Sequence, residues 1–304
     1  WGPLLFAEAR SEPALHKMKK FETNAYDVSW ALDRDGTFHW GGLDLSKRLS
    51  YLYHYFQVSP GSFRGKRVLD AGCGNGALSA ALARDGAEVV AFDYSNIVER
   101  AEANKAGIAG NGTVHYVQAD AAFPPFAEHS FDAIYSDGVL HLTGDTYSAF
   151  KKLARLVKPA GRLFVSVTRK DLGRGYRLRK IPVDALQWLF RHMPVRLSSP
   201  LCLLGAAFLS VYVRVQQWLR LKEKRKIGPL RHEALILWHT VAMPKHQYHV
   251  PEEVEAWFRD LGFRNVQETT IPALGHTGFG LVGVRAAGNV TVNHSQRAAS
   301  GVGA

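Results

Sequence analysis

Short apolar segments alternate with helix-like segments between residues 66 and 168. Five of them, short and nearly continuous, predict β-strands that are covered on both faces: KRVLDA, AEVVAFD, VHYVQAD, FDAIYSD and RLFVSVT. Among the helix-like segments, DTYSAFKKLARLVK places Ala149, Phe150, Leu153, Leu156 and Val157 on one helical face. Alternation of this kind predicts right-handed crossovers, and hence an α/β fold with a doubly wound parallel sheet.

This alternation is interrupted after Thr168. Residues 169–249 contain basic clusters around apolar, helix-like segments and show no strand pattern. The segment PEEVEAWFRDLGF then predicts a helix, with Pro251 at its first position and Gly262 at its end. RNVQETTI and GFGLVGVRA predict two more strands, the second antiparallel beside the first.

The chain is therefore predicted to have four parts. They are an N-terminal lid (1–65), a Rossmann-like core (66–168 with 250–286), a helical insertion (169–249) and a disordered tail (287–304). The tail is predicted to be disordered because its small and polar residues bury little apolar surface.

Three glycines, Gly72, Gly74 and Gly76, follow the first predicted strand at every second position. A turn from strand to helix at the carboxyl edge of a parallel sheet directs helix N–H groups toward a ligand, and glycine allows close approach and positive φ. The spacing is GxGxG, which differs from the GxGxxG of dinucleotide sites. A tight turn without a ligand is the alternative explanation.

Acidic residues close the next two predicted strands. Asp93 ends AEVVAFD and Asp120 ends VHYVQAD. An ionised carboxylate only accepts hydrogen bonds, so Asp93 suits the two hydroxyls of a ribose and Asp120 suits an exocyclic amine. Either residue alone is equally consistent with a turn or a helix cap. Together with the glycine loop they predict a nucleoside site.

These segments, together with LVKPAGRLFVSV, resemble class I S-adenosylmethionine-dependent methyltransferases. The resemblance implies a seven-stranded sheet in the order 3-2-1-4-5-7-6, with S-adenosylmethionine as cofactor and S-adenosylhomocysteine as product. The cofactor-binding residues that it implies are Asp70, Gly72, Cys73, Gly74, Gly76, Asp93, Tyr94, Asp120, Ala121, Ser136, Asp137 and Gly138. The family commonly has KPGG before its fifth strand, where this chain has Lys158-Pro159-Ala160-Gly161, and we expect only a modest effect on that turn.

Methyl transfer to a hydroxyl usually needs a base, and His141, just beyond the fourth strand, is the candidate. Its alternative role is to pack against or cap the following helix. Aromatic and histidine side chains before the first strand and before the resumed core are the candidate acceptor contacts: Tyr26, Trp30, His39, Trp40, His239, His246, Tyr248 and His249. Their spacing is not that of a metal site, and no metal is predicted.

The insertion gives the clearest indication of the acceptor. We expect it to form a helical cap over the acceptor pocket. Its uncharged run, residues 197–213, is shorter than the ~20 residues of a spanning helix, which argues against a membrane span. Its basic flanks suit an interfacial helix or a lipid-linked acceptor. A loose resemblance to bacterial enzymes acting on sugars, lipids or secondary metabolites favours O- or C-methylation of a small molecule.

Composition leaves three rival functions to be weighed. The formal charge of +11 permits an RNA methyltransferase, but no NPPY-type motif follows the fourth strand. A non-catalytic protein that binds the cofactor is a second rival, and a nicotinamide dehydrogenase, disfavoured by the glycine spacing, is a third. Two cysteines, Cys73 and Cys202, cannot form a disulfide framework, which favours a cytoplasmic protein, with membrane contact through the insertion as an option. The oligomeric state is left open.

Overall fold

A computed structural model describes residues 25–33, 44–104, 111–170, 184–190, 192–218, 228–241, 247–269 and 278–287. Its centre is one seven-stranded sheet in the order β3-β2-β1-β4-β5-β7-β6, which confirms the predicted α/β class and strand order. The strands are β1 (Arg67–Ala71), β2 (Glu88–Asp93), β3 (Thr113–Gln118), β4 (Phe131–Asp137), β5 (Val157–Thr168), β6 (Phe263–Thr269) and β7 (Gly278–Arg285). All neighbouring pairs are parallel except those of β7, which runs antiparallel to both β5 and β6.

Among the described residues, eight α-helices with defined bounds surround this sheet or lie in the insertion. They are α1 (Ala25–Trp30), α2 (Leu45–Tyr55), α3 (Ala77–Arg84), α4 (Ile97–Asn104), α5 (Thr146–Leu156), α6 (Val195–Trp218), α7 (Leu230–Val241) and α8 (Pro251–Asp260). A 3-10 turn spans Leu140–Leu142, and residues 184–190 are also helical. As predicted, α8 begins at Pro251, and Gly262 follows it with a positive φ.

The beginning of β5 corrects one predicted boundary. Val157, predicted on a helical face, already has extended backbone and pairs with Phe131. The next registered pair joins Arg162 to Ala133, so residues 158–161 bulge out of the ladder. Within this bulge Ala160 has a φ of 62°, a left-handed conformation that disfavours a side chain. The KPAG sequence therefore keeps the turn that KPGG would form, at a small conformational cost.

Buried side chains form one core on each face of the sheet and a third core outside it. Helices α5 and α8 cover one face, with Phe150 and Phe258 in contact, whereas α2 and α3 cover the other. The third core joins α1, α6 and α7 and includes Trp30 and Trp238. The insertion therefore packs on the N-terminal helix instead of extending the sheet.

The insertion leaves and re-enters the core at a single point, which we call the neck (Thr168–Lys170 with His249). There the N–H of His249 donates to the carbonyl of Thr168 at 2.9 Å, and the N–H of Lys170 donates to the carbonyl of His249 at 2.8 Å. Arg169 and His249 thereby form an isolated parallel bridge.

Among the helices that the structure describes, none is both long enough and apolar enough to cross a membrane.

Candidate functional site

The carboxyl edge of the sheet brings the glycine loop (residues 72–76) and the predicted acids together. Parallel pairing aligns the end of β1 with β2 and the end of β2 with β3, so Asp93 lies beside the loop that follows Ala71. The N–H of Gly74 donates to Asp93 Oδ2 at 2.9 Å, which joins the two directly. The predicted convergence at this edge is present in the structure.

The three glycines have the expected left-handed conformation, with φ of 90°, 55° and 74° at Gly72, Gly74 and Gly76. The space that each opens, however, is occupied by the protein. A Cβ at these positions would lie 2.2 Å from the Val139 side chain, 2.6 Å from the Trp30 ring and 2.5 Å from the Tyr116 ring, respectively. The close approach that requires glycine on the Cβ side is therefore between parts of this chain, and contact of the loop backbone with a ligand stays a prediction.

The N–H groups of the loop are also largely used internally. Gly72 and Cys73 both donate to the carbonyl of Phe92, at 2.8 and 2.9 Å, and Gly76 donates to the carbonyl of Cys73 at 3.1 Å. These bonds fix the conformation of the turn before α3. The loop is therefore a preformed wall of the site, and the N–H groups of Gly72, Cys73, Gly74 and Gly76 already have acceptors within the chain.

Asp93 is the best-connected acid at the edge. Its carboxylate accepts from the Gly74 N–H, from the Ser95 N–H at 2.9 Å and from the Ser95 hydroxyl at 2.6 Å. Burial raises the pKa of Asp93, and the three hydrogen bonds oppose that rise. A carboxylate has about four lone-pair sites, so about one remains for a further donor. That capacity suits one ribose hydroxyl better than the two expected from the sequence.

Asp70 holds the first strand to the helix behind the loop. Its Oδ2 accepts from the Ser79 hydroxyl at 2.5 Å, and both residues are buried. Burial raises the pKa of Asp70 from 3.8 to about 6. Asp70 thus connects the end of β1 to α3 through Ser79, and the ordering role that the resemblance implied stays a prediction.

Tyr94 and Asp120, the predicted adenine contacts, surround Tyr26 of α1. The rings of Tyr26 and Tyr94 meet edge to face with centroids 5.8 Å apart. The pKa of Tyr26 is raised, mainly because the side chain is buried and further because the charges of Asp93 and Asp120 are near. Asp120 Oδ1 accepts from the Ala122 N–H at 2.7 Å in a tight turn that follows β3, with Ala121 buried between them.

The end of β4 forms the second wall of the site. Asp137 accepts from the Tyr135 hydroxyl at 2.8 Å and from the Ser166 hydroxyl, and Ser166 in turn accepts from the Gly138 N–H at 2.8 Å. Ser136 donates to the carbonyl of Ala71 at 3.1 Å. Gly138 has a φ of 75°, and a Cβ there would meet no atom within 4 Å. Unlike the glycine loop, Gly138 therefore borders open space at this edge.

His141, the predicted base, is buried in the 3-10 turn. Its carbonyl accepts from the Gln247 N–H at 2.8 Å, and the carbonyl of its neighbour Leu142 accepts from the Tyr26 hydroxyl at 3.3 Å. It does not cap α5, because Asp145 performs that function through the Ser148 N–H at 2.9 Å. The turn is thus held at the junction of core, lid and returning chain, and a role for His141 as base stays a prediction.

His249 has a structural role. Its ring nitrogens lie 3.0 Å from Thr146 Oγ1 and 3.2 Å from Glu253 Oε2, so it bridges the starts of α5 and α8. Gln247 completes this junction by accepting from the Thr146 N–H and hydroxyl at 2.9 and 2.6 Å. Tyr248 is half-buried between them. Both ring nitrogens of His249 thus have partners within the chain, and its contact with an acceptor stays a prediction.

The N-terminal helix α1 lies over the glycine loop as a lid. Trp30 packs against Gly74 and meets the ring of His239 in α7 edge to face, with centroids 6.2 Å apart. Asp27 accepts from the Asn96 N–H at 2.7 Å, which fixes the other side of α1 to the start of α4. The other predicted liners, His39, Trp40 and His246, lie outside the described residues.

Asp33 was not predicted from the sequence, yet it joins three parts of the molecule. It is fully buried, accepts from Asn75 Nδ2 of the glycine loop at 3.0 Å, and lies 3.6 Å from His232 Nε2 of α7. Its carbonyl accepts from the guanidinium of Arg100. The only feature of the sequence around Asp33 is that it is rich in Asp and Gly. The partners of Asp33 lie 42 and 199 positions away, so no local pattern identifies it.

An apolar groove opens between α6 and the start of α7, with a volume of about 900 Å³. Its lining is mostly apolar, with a cationic and a titratable side chain at α7: Leu32, Pro200, Leu203, Leu204, Ala207, Pro229, Leu230, Arg231 and His232. Leu32 precedes Asp33, so the groove adjoins the link to the glycine loop.

Among the described residues, no group of three or more His, Cys, Asp or Glu side chains is arranged to hold a metal ion.

Comparison with known proteins shows what the part of the chain that carries Asp93 is similar to. Residues 69–165 match the family model described as a methyltransferase domain. The chain is 35% identical over 139 residues to a demethylmenaquinone methyltransferase of Clavibacter sepedonicus, covering 46% of this chain and 54% of that protein. It is 30% identical over 156 residues to a cycloartenol-C-24-methyltransferase of Arabidopsis thaliana, covering 50% and 46%. The chain thus spans about half the length of these relatives.

Among solved structures, the [4+2]-cyclase SpnF aligns with 93% of this chain and 99% of its own, with a TM-score of 0.52 at 15% identity. At this identity the likeness concerns the fold alone. The aligned share of the chain is larger than residues 69–165, the part that the family model matches.

Proposed function

We propose that this chain, whose residues 69–165 match the model of a methyltransferase domain, transfers the methyl group of S-adenosylmethionine to the oxygen or carbon of a small apolar acceptor. The observation that carries the proposal is the wall of polar and aromatic groups around Asp93 at the carboxyl edge of the sheet. It lies within the matched domain and has the chemistry of a nucleoside site.

The described residues fit the parts of this cofactor one by one. Asp93 retains capacity for one ribose hydroxyl, Tyr94 and Tyr26 offer aromatic faces and edges for the adenine, and Asp120, near Tyr26, would accept from its amino group. Gly138 borders the open space in which a sulfonium and an acceptor would meet. When bound, the cofactor supplies an activated methyl group for an in-line displacement. The protein has to align the acceptor with that methyl group and exclude water.

The acceptor is proposed to be apolar because the lid and insertion offer mainly apolar surface. The groove of about 900 Å³ is bordered chiefly by leucine, proline and alanine side chains, with Arg231 at its rim. Such a groove binds a hydrocarbon portion and leaves a polar head at the cationic end. The two relatives are named for a menaquinone and a sterol precursor, both apolar, which supports the same class of acceptor.

His141 is the proposed base when the acceptor is a hydroxyl. It follows β4 directly and stands in the turn that Tyr26 and Gln247 hold in place. Replacing it by Gln keeps a polar side chain of similar size but removes the titrating imidazole. For an oxygen acceptor we expect a large loss of kcat with little change in cofactor affinity, whereas an activated carbon acceptor would be little affected.

The proposal is tested first by calorimetric titration with S-adenosylhomocysteine. Wild-type protein should bind it, and Asp93→Asn should weaken binding by about tenfold or more, because a hydrogen bond to a charged group is worth about 1.5–3 kcal/mol. Glu88→Gln is the matched control, since Glu88 is exposed at the opposite end of the same strand and loses the same charge. An absence of binding in the wild type would overturn the cofactor assignment.

The methyl transfer itself is tested by incubating the protein with labelled donor and a whole-cell extract that contains both lipids and RNA, followed by mass spectrometry of the labelled product. We expect label in an apolar small molecule. Label only in RNA would overturn the acceptor class, and binding of the cofactor without any transfer would favour a non-methylating role on this fold.

A further inference from the structure

The insertion helix α6 has two chemically different faces. Its inner face is made of small residues that let α7 approach closely: Ser198, Cys202 and Ala206 are buried, and a Cβ on Gly205 would lie 2.9 Å from Leu237. The Trp238 indole N–H donates to Ser198 Oγ at 2.7 Å and fixes the pair. The helix is thus firmly attached on one side.

Its outer face carries large apolar side chains that the protein leaves in solvent. We define this outer face as Leu197, Leu201, Leu204, Phe208, Val211 and Val215, all of which are exposed. Their spacing of four and three residues places them in one stripe along the helix, about 27 Å long at 1.5 Å per residue. Leu204 is 68% exposed and Phe208 is 77% exposed. A continuous apolar stripe of this size marks an interaction surface.

The positive charge of the protein is concentrated in the same segment. Residues 169–249 contain 16 Lys and Arg against 4 Asp and Glu, a net charge of +12. The rest of the chain contains 22 against 23, a net charge of −1. The basic positions lie on both sides of α6 along the chain and on it at Arg214, which is exposed. The insertion alone therefore accounts for the attraction of this protein to anions.

We propose that the outer face of α6 is a docking surface for an anionic lipid membrane. An apolar stripe flanked by Lys and Arg is the arrangement of helices that lie in the bilayer interface, where apolar side chains enter the acyl region and cations meet anionic headgroups. The stripe borders the apolar groove through Leu204, so the groove opens toward the lipid. The proposal stands independently of methyl transfer.

Two other occupants fit the surface less well. A second copy of the chain would bring two insertions of +12 together, and like charges oppose that contact. Nucleic acid would meet the cations but would leave the leucine and phenylalanine side chains without apolar partners. A bilayer with anionic headgroups satisfies both features at once.

The test is co-sedimentation of the full chain with vesicles, in the absence of any methyl donor. One set contains phosphatidylcholine only, and the other contains phosphatidylcholine with phosphatidylglycerol. We expect binding to the second set that decreases as salt is added, and little binding to the first. Because no cofactor or acceptor is present, failure of this proposal is distinguishable from failure of the proposed function.

The decisive variant is Leu204→Glu with Phe208→Glu, which removes two exposed apolar side chains and adds two charges. It should reduce the affinity for the mixed vesicles by at least about tenfold. The matched control, Ser50→Glu with Ala103→Glu, adds the same charge on exposed positions of α2 and α4 and should bind nearly as well as wild type. Circular dichroism confirms that both variants fold.

Three results would overturn the proposal. They are an absence of wild-type binding to the mixed vesicles, equal loss of binding in the control and in the α6 variant, or unchanged binding in the α6 variant. Sedimentation velocity adds a fourth: a wild-type dimer that the α6 variant converts to monomer would assign the outer face to self-association.

Discussion

The carboxyl edge of the sheet and the outer face of α6 use small residues and large apolar residues in opposite ways. At the edge, glycine makes room for the protein itself, as Gly74 does for the Trp30 ring. On α6, glycine and alanine face inward and the largest side chains, such as Phe208, face solvent. Contacts within the chain therefore determine the conformation of the edge, whereas the apolar side chains of the outer face suit a partner outside the chain.

This difference indicates how the molecule divides its tasks. The edge holds its polar groups in place before any ligand arrives, as the three hydrogen bonds to Asp93 show. Such preorganisation favours a reaction that depends on alignment. The insertion instead retains unsatisfied apolar surface, which is useful only if a partner covers it. Substitutions in the two regions should consequently differ in what they damage.

The largest effect is expected at Gly74. Gly74→Ala places a Cβ 2.6 Å from the Trp30 ring in a left-handed conformation, whereas Gly138→Ala has the same conformational penalty but open space. We expect losses in the free energy of unfolding of about 3 kcal/mol and about 1 kcal/mol, respectively, measured by urea denaturation. In a Trp30→Ala background the cost of Gly74→Ala should fall to about 1 kcal/mol. Equal losses at the two glycines would show that the tryptophan contact does not require glycine.

The next effect concerns Asp70 and pH. Because burial raises its folded-state pKa from 3.8 to about 6, the folded protein resists ionisation of this group more than the unfolded chain does. The stability it contributes is fully present below the unfolded pKa and is lost as the pH rises through about 6. Between about pH 4 and about pH 7, wild type should lose about 2–3 kcal/mol relative to Asp70→Asn.

Urea denaturation at a series of pH values measures this difference. Asp93, whose pKa burial also raises, acts in the same direction but is present in both proteins and cancels. Parallel pH profiles of the wild type and Asp70→Asn would contradict the assignment of a raised pKa to Asp70.

The smallest effect is expected on the outer face of α6, and a substitution on the inner face provides the contrast. Phe208→Gln on the outer face should change the free energy of unfolding by no more than about 0.5 kcal/mol, since its ring packs on little of the protein. Ala206→Leu on the inner face should cost about 1–3 kcal/mol through overpacking against α7. A large loss for Phe208→Gln would mean that the outer face supports the fold and is not reserved for a partner.

The core of the sheet could be predicted from the sequence because its signals are local. A buried parallel strand is a short apolar run, and KRVLDA, AEVVAFD and FDAIYSD each contain the observed β1, β2 and β4. The strand order followed from the resemblance and not from the pattern. The start of β5 at Val157 was missed, because an apolar residue that ends an amphipathic helix and one that begins a strand look alike in sequence.

The site was predictable only where the topology brings residues together. Asp93 and Asp120 were identified because parallel strands end at one edge. Ser95 and Ser166 were missed, since a hydroxyl that satisfies a buried carboxylate has no distinctive sequence pattern. Asp33 was missed because its partners come from distant segments, and the packing of the Trp30 ring on Gly74 was missed because Trp30 lies in a separate helix.

The neck of the insertion has an evolutionary consequence. Since the chain leaves at Thr168 and returns at His249 through two adjacent backbone hydrogen bonds, the loop between them can lengthen, shorten or be exchanged without disturbing the register of β5. An exchanged insertion would still have to restore the contact of His239 with Trp30 and of His232 with Asp33, so the sheet would tolerate the exchange more readily than the glycine loop.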